Sequence, residues 1–167
     1  YELERREAIT GGVERFTDAL TRFGLGSARW FGALPFRILG LLLREPGMQR
    51  KACRAMGMLG GRYTKSPLID VRHPLAGRRI DDLVLVNGSR INRERGGKAA
   101  LVVVGDVRVS GIDAPIIRIG AAPKHWHLKA TAALVVRPDG CVAAVVEKPT
   151  PERVTAAWRK AFAVVST

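Results

Sequence analysis

His125-Trp126-His127 is the one place in the chain where two imidazoles stand two residues apart. On a strand, positions i and i+2 point to the same side, so both rings could reach a single metal ion. A zinc-type site needs a third and usually a fourth ligand, and partners that orient the rings. His73 is the remaining histidine, and no carboxylate is grouped with it in the sequence. The motif therefore reads as a polar loop around a buried Trp126, and metal binding is set aside.

Thiol chemistry fares no better. A reactive cysteine needs its pKa lowered by a helix amino terminus or a nearby cation. Cys141 follows Arg137-Pro138-Asp139-Gly140, and Arg137 is the only local cation. Cys53 lies between Lys51 and Arg54 but has neither a base nor a resolving partner. No CxxC pair exists, so no dithiol centre can be built, and both thiols read as buried packing residues of a reduced, cytoplasmic protein. The pairs Gly11-Gly12, Gly60-Gly61 and Gly96-Gly97 lack the spacing and the strand-then-helix context of phosphate loops. No catalytic, cofactor-binding or metal-binding residue is assigned.

The formal charge is +13, from 28 Lys and Arg against 15 Asp and Glu. The excess is +6 over residues 1–65, +3 over 66–98 and +4 over 99–167, with no basic tail. The densest stretches, Arg44/Arg50/Lys51/Arg54 and Arg90/Arg93/Arg95/Lys98, are not interleaved with aromatics that would stack on bases. They read as solvated faces, so a nucleic-acid partner is not expected; acidic surface on another part of a larger polypeptide would also balance them.

What remains is scaffold. Apolar residues at Ile9, Val13, Phe16, Leu20 and Phe23 make one helical stripe over Glu2–Phe23. A second helix runs from Pro35 to Leu43, broken by Pro46-Gly47, and a third from Met48 to Leu59. The stretch Leu34–Leu43 is interrupted by Pro35 and Arg37 and falls well short of the roughly 20 residues a bilayer span needs. Residues 62–98, with Pro67, Pro74, Gly77, Gly88, Gly96 and Gly97, read as an extended connector with one short strand at Leu83–Val86.

From Ala99 the texture is that of a sheet. Ala99–Val104 is an unbroken apolar, β-branched run, suited to a strand covered on both faces. Val107–Val109, Ile116–Ile119, Ala132–Val136 and Cys141–Val146 are further candidates. Pro138-Asp139-Gly140 between the last two marks a hairpin turn. Thr150 can cap a closing helix with Pro151 in its first turn, and Val154, Ala157, Trp158, Ala161 and Phe162 share one face. Only 11 residues lie between Val104 and Ile116. That is too few for a helical crossover, which suggests either a trimmed helix or an added hairpin over Val107–Ile119.

Several blocks, in this order, resemble FAD-dependent aromatic-ring hydroxylases. Tyr1-Glu-Leu-Glu-Arg-Arg-Glu-Ala is similar to the opening of the last long helix in the family's flavin-binding part. Gly61-Arg62-Tyr63-Thr64-Lys65-Ser66-Pro67-Leu68 resembles its exit, and His73-Pro74-Leu75-Ala76-Gly77-Arg78-Arg79-Ile80-Asp81-Asp82-Leu83 the entry to a third domain. Val135-Val136-Arg137-Pro138-Asp139-Gly140-Cys141-Val142-Ala143 resembles the family's L-V-R-P-D-G-x-V-A-W-R hairpin, with Ala144-Val145 standing where Trp-Arg is usual.

The resemblance implies an α/β (α+β) chain: a helical remnant of the FAD/substrate-binding region over 1–61, a connector over 62–98 and a thioredoxin-like domain over 99–167. It implies that Tyr1 is not the native beginning. It also implies that FAD and NAD(P)H serve the parent enzyme, an aromatic monooxygenase, through residues outside this chain. The partner would be the amino-terminal FAD-binding portion, with a second subunit as a further contact. Two other readings remain at this stage: a stand-alone basic module for nucleic acid or anionic membrane, and a peroxidase-like use of Cys141.

Overall fold

The computed structural model describes residues 17–18, 21–22, 32, 34–42, 44–56, 61–128 and 131–162. It divides into two compact units, Tyr1–Gly61 and Arg62–Thr167. Most of the helix expected over Glu2–Phe23 lies outside the described residues, as does the stretch from Gly57 to Leu59.

The first unit contributes α1 (Leu34–Leu42) and α2 (Pro46–Met56). α1 is apolar and carries a proline in its first turn, where the missing N–H costs nothing. α2 starts on Pro46, and the carbonyl of Glu45 accepts its first helical bond from Gln49 N–H at 3.0 Å. A proline restricts the residue before it to extended backbone, which separates the two helices at this point.

The second unit is an α/β fold built on a four-stranded mixed sheet, with β1 (Ala100–Val104), β2 (Ile116–Ile119), β3 (Ala132–Val136) and β4 (Val142–Glu147) in the order β2-β1-β3-β4. β1 is parallel to β2 and antiparallel to β3, and β3 is antiparallel to β4. Every residue of β1 and β3 is buried, because both are central strands of the sheet and both faces are covered. One face of the sheet (Ala100, Val102, Val104, Ala132, Leu134, Val136) meets Leu75, Ile80, Ile91 and Trp126. The other (Leu101, Val103, Ala133, Val135) meets the closing helix.

That helix is α4 (Pro151–Phe162). The Thr150 hydroxyl accepts from Arg153 N–H at 3.4 Å at its start. Val154 and Ala161 are buried against the sheet, with Ala157, Trp158 and Phe162 beside them. The short helix α3 (Ile91–Arg95) sits on the opposite face, contributing the fully buried Ile91.

Two sequence expectations are corrected here. Val107–Val109 is not a strand and no hairpin forms over Val107–Ile119; the parallel step from β1 to β2 is made by an irregular crossover. It starts at Gly105, in the positive-φ region at 78°, and tucks Val107, Val109 and Ile112 against the α4 side of the sheet. Leu83–Val86 is likewise not a strand; it leads into a tight turn at Val86–Gly88, with a single bridge between Val84 and Arg90.

Residues 62–80 belong to the same unit as the sheet and line the outer edge of β4. Asp70 N–H donates to Ala143 O at 2.7 Å, Gly77 N–H to Val142 O at 2.8 Å and Ile80 N–H to Gly140 O at 2.9 Å, while Val142 N–H donates to Arg78 O at 2.9 Å. Pairing at Val142 and Ala143 shortens the open row of polar groups that invites misassembly. Arg62 holds the segment in shape: Nε donates to Ala76 O at 2.8 Å, and a terminal nitrogen donates to Val71 O and His73 O, both at 3.1 Å.

Gly77 is required where this segment meets the sheet. Its φ is +83°, and a Cβ there would lie 2.2 Å from the Tyr63 carbonyl oxygen. Gly77→Ala should therefore destabilise the chain by about 2–4 kcal/mol, adding a clash to left-handed strain. Gly111→Ala, at φ +75° with nothing within 4 Å of a Cβ, should cost only about 1 kcal/mol. Equilibrium urea unfolding compares the two, and equal losses would contradict the tight approach at Gly77.

Candidate functional site

Residues 124–127 do not form a strand. Lys124–Trp126 is one turn of 3-10 helix, and His127 follows in the left-handed region at φ 54°. The two imidazoles are thus not presented side by side from one strand face. Trp126 is completely buried, and its indole N–H donates to Asp81 Oδ2 at 2.7 Å. The exposed His125 ring reaches the same oxygen through Nε2 at 2.6 Å. Among the described residues no three His, Cys, Asp or Glu side chains are grouped closely enough to hold a metal ion.

Asp81 is the residue the motif analysis missed. It lies 45 positions from Trp126, and only the family-like block His73–Leu83 included it. The neighbouring Asp82 caps α3, its Oδ1 accepting Asn92 N–H at 2.9 Å. Consecutive carboxylates therefore tie the turn holding Trp126 and the start of α3 to one strip of chain.

The hairpin turn is gripped in the same manner. Gly140 takes φ +82°, and Cys141 N–H donates to Asp139 Oδ1 at 2.9 Å. Arg95, 7% exposed, reaches over from α3. Its guanidinium donates to Arg137 O at 2.6 Å, to Lys98 O at 3.1 Å and to Pro138 O at 3.3 Å. Burial pulls the Arg95 pKa below the usual arginine value, with the Asp139 charge opposing that shift. This arginine was legible only as part of a basic run; its role as a clamp depends on a fold that brings carbonyls from 42 residues away.

Two carboxylates also owe lowered pKa values to structural contacts. The Asp70 carboxylate is held below the ordinary carboxylate range, chiefly by hydrogen bonds from Arg72, whose Nε lies 2.7 and 2.9 Å from its two oxygens. Glu152 is lowered by its own backbone N–H and by Thr150 at the start of α4.

Both cysteines are free thiols. Cys141 is buried beside Ile69 and Ala76, a packing position. Cys53 is exposed, which corrects its reading as a buried thiol. On a short helix whose mean hydropathy is polar, an apolar side chain can face solvent without cost to a core. An open groove between the crossover and α4 is lined by Ser110, Pro151, Glu152, Thr155, Ala156 and Arg159. It gathers one carboxylate and one guanidinium, with no nucleophile–base pair.

These geometries separate structural from chemical roles. Asp81→Ala strands the buried indole N–H and should cost about 1–3 kcal/mol, whereas His125→Ala removes an exposed contact worth under about 1 kcal/mol. Thermal unfolding of the two variants, with and without added zinc, checks this; a larger loss at His125, or zinc stabilisation abolished by its removal, would contradict it. Asp70 supplies a pH test. A carboxyl whose folded pKa is depressed stabilises the fold above its unfolded pKa of about 3.9, and that contribution is lost as pH falls through the folded value. Asp70→Asn should lower the urea midpoint at pH 7, and the gap should close as pH drops below about 4. A gap that stays constant with pH would rule out the Asp70–Arg72 pair as its source.

No protein-family model and no curated protein sequence matches the chain. Among solved structures it is similar to OxyS, the anhydrotetracycline hydroxylase from Streptomyces rimosus. The match has 26% sequence identity and a TM-score of 0.64, and covers 96% of this chain. The chain spans about a third of that protein, 34% of its length.

Proposed function

We propose that this chain is the carboxy-terminal third of an FAD- and NAD(P)H-dependent monooxygenase that hydroxylates an aromatic, polyketide-type substrate. Its part in that enzyme is structural: a thioredoxin-like piece without a dithiol that closes the flavin-carrying portion and contacts a second subunit. The observation that carries the proposal is the similarity to an anhydrotetracycline hydroxylase over 96% of this chain and 34% of the other.

The site geometry supports the division of labour. The described residues do not fit a flavin. The groove beside α4 is open, and Gly96-Gly97, at φ 56° and 73°, close the carboxy end of α3 instead of opening a helix toward a phosphate. Helix amino termini, not carboxy termini, bind dinucleotide phosphates. A flavin bound elsewhere in the polypeptide would supply electron transfer and oxygen activation, while the protein binds, orients and shields it. Within this chain, the Asp81–Trp126 bond, the Arg95 clamp and the sheet itself keep a rigid surface. No helix among the described residues is long and apolar enough to cross a membrane.

The test is co-expression of this chain with the polypeptide encoded in frame ahead of Tyr1. The pair should copurify with FAD at about one per complex and oxidise NAD(P)H in the presence of a phenolic polyketide, while this chain alone retains no flavin. A chain that binds FAD by itself would contradict the division of labour. An upstream polypeptide that holds no flavin in the complex would overturn the assignment.

A further inference from the structure

The turn between Leu85 and Ser89 carries Asn87-Gly88, the sole Asn-Gly pair in the chain. Both residues are exposed. Gly88 takes φ +78°, and nothing lies within 4 Å of where a Cβ would stand. Its backbone nitrogen therefore has no steric cover, and a glycine lets backbone and neighbouring groups approach closely. The group within its reach is the side-chain amide of the preceding asparagine.

The hydrogen bonds of the turn favour an attack on that amide. Ser89 N–H donates to Asn87 Oδ1 at 3.0 Å. This bond draws charge from Cγ and faces the oxygen on which negative charge develops as a fourth bond forms at Cγ. Gly88 N–H donates to Leu85 O at 2.9 Å, and Leu85 N–H to Ser89 O at 2.8 Å. The Gly88 bond must open before its nitrogen gives up a proton, so opening of an exposed turn gates the step.

Asp139-Gly140 supplies an internal comparison. Its turn repeats the pattern, with Cys141 N–H donating to Asp139 Oδ1 and Gly140 N–H to Arg137 O, both at 2.9 Å. Here the side chain is a carboxylate whose Oδ2 lies 3.0 Å from Arg137 Nη2, and an anion resists nucleophilic addition. The Arg95 guanidinium also covers this turn, 3.4 Å from the position of a Gly140 Cβ. The other asparagine, Asn92, precedes Arg93 within α3, where the next residue carries a side chain and the backbone is helical.

We propose that Asn87 is a site of spontaneous deamidation, through which the chain acquires a charge beside Glu94 and loosens its hold on α3. Gly88 N bonds to Asn87 Cγ, the Cγ–Nδ2 bond breaks, and ammonia leaves with the proton given up by Gly88 N. Water then opens the cyclic imide at either carbonyl, leaving aspartate or isoaspartate at position 87. The reaction needs no cofactor and no partner chain. Its consequence follows from what the amide holds: Asn87 Nδ2 donates to Glu94 Oε1 at 3.4 Å. A carboxylate in that place faces another carboxylate, and the contact becomes repulsive. Isoaspartate also lengthens the backbone between Leu85 and Ser89, pulling at the bonds that close the turn. α3 is entered from this turn and carries the buried Ile91 and Arg95.

Peptide mass mapping of the folded chain, aged in mildly alkaline buffer, tests it, with isoaspartate read by enzymatic methylation. The peptide containing Asn87 should gain about 1 Da and accept methyl groups, faster as pH rises, while Asn92 and Asp139 stay unchanged. Asn87→Gln should abolish both signals, and Gly88→Ala should slow them at least ~10-fold. Asn87→Asp, which installs the charge alone, should lower the urea midpoint, and adding Glu94→Gln should restore it. A folded chain that keeps Asn87 intact while the urea-unfolded chain deamidates would show that the turn protects this residue, and overturns the proposal. Modification of Asp139 as fast as Asn87 overturns the selectivity argued from the two turns. An Asn87→Asp chain as stable as the unmodified one overturns the link to α3.

Discussion

Burial of β1 and β3 on both faces is the constraint from which the rest of the second unit follows. Ten consecutive-strand residues, Ala100–Val104 and Ala132–Val136, are all buried, and each Val or Leu hidden from water is worth roughly 1.5–3 kcal/mol. Exposed ion pairs such as Arg90–Asp82, at 3.6 Å, add between about 0 and 1 kcal/mol each. The sheet therefore sets the energetics, and the polar contacts set the geometry. Two buried faces demand two covers. α4 and the crossover supply one, and the turn bearing Trp126 with α3 and residues 75–80 supplies the other.

The polar contacts act at the places where irregular chain must be held against that slab. Arg62 gathers three carbonyls of one loop. Arg95 gathers those of the hairpin turn and of Lys98. Asp81 takes the one polar atom of the largest buried side chain. A buried donor or acceptor left unpaired costs more than a formed bond gains. These residues consequently define which loop conformation is allowed more than they add net stability. None of them forms a nucleophile–base pair.

Much of the sheet could be read from the residues, and the reason is physical. Unbroken apolar, valine-rich runs at 99–104, 132–136 and 141–146 have few alternatives to a covered strand, and Pro138-Asp139-Gly140 has few alternatives to a turn. The closing helix was legible from Thr150-Pro151 and its apolar face. Less visible was anything that depends on distant partners. His125-Trp126-His127 was legible as a polar loop around a buried Trp126, which it is; what the motif did not show is that Asp81 draws the indole and one imidazole to a shared oxygen. Val107–Val109 has strand composition, yet the short parallel step spends those residues on covering the sheet. In residues 62–80 the pairing with the sheet edge leaves no periodic signature, because it is made through the backbone atoms of Asp70, Gly77, Arg78 and Ile80.

The central physical claim is that residues 62–80 and the sheet are one cooperative body, with the hairpin turn and the start of β4 held by backbone bonds from Asp70, Gly77 and Ile80. Native-state hydrogen exchange tests it most directly. The account predicts that the amides of Asp70, Gly77 and Ile80 exchange only through the same global opening that exposes Val102 and Leu134, with the same denaturant dependence. If those three amides exchanged through a low-energy local opening while the strand interiors stayed protected, the segment would be a detachable strap and the account would fail.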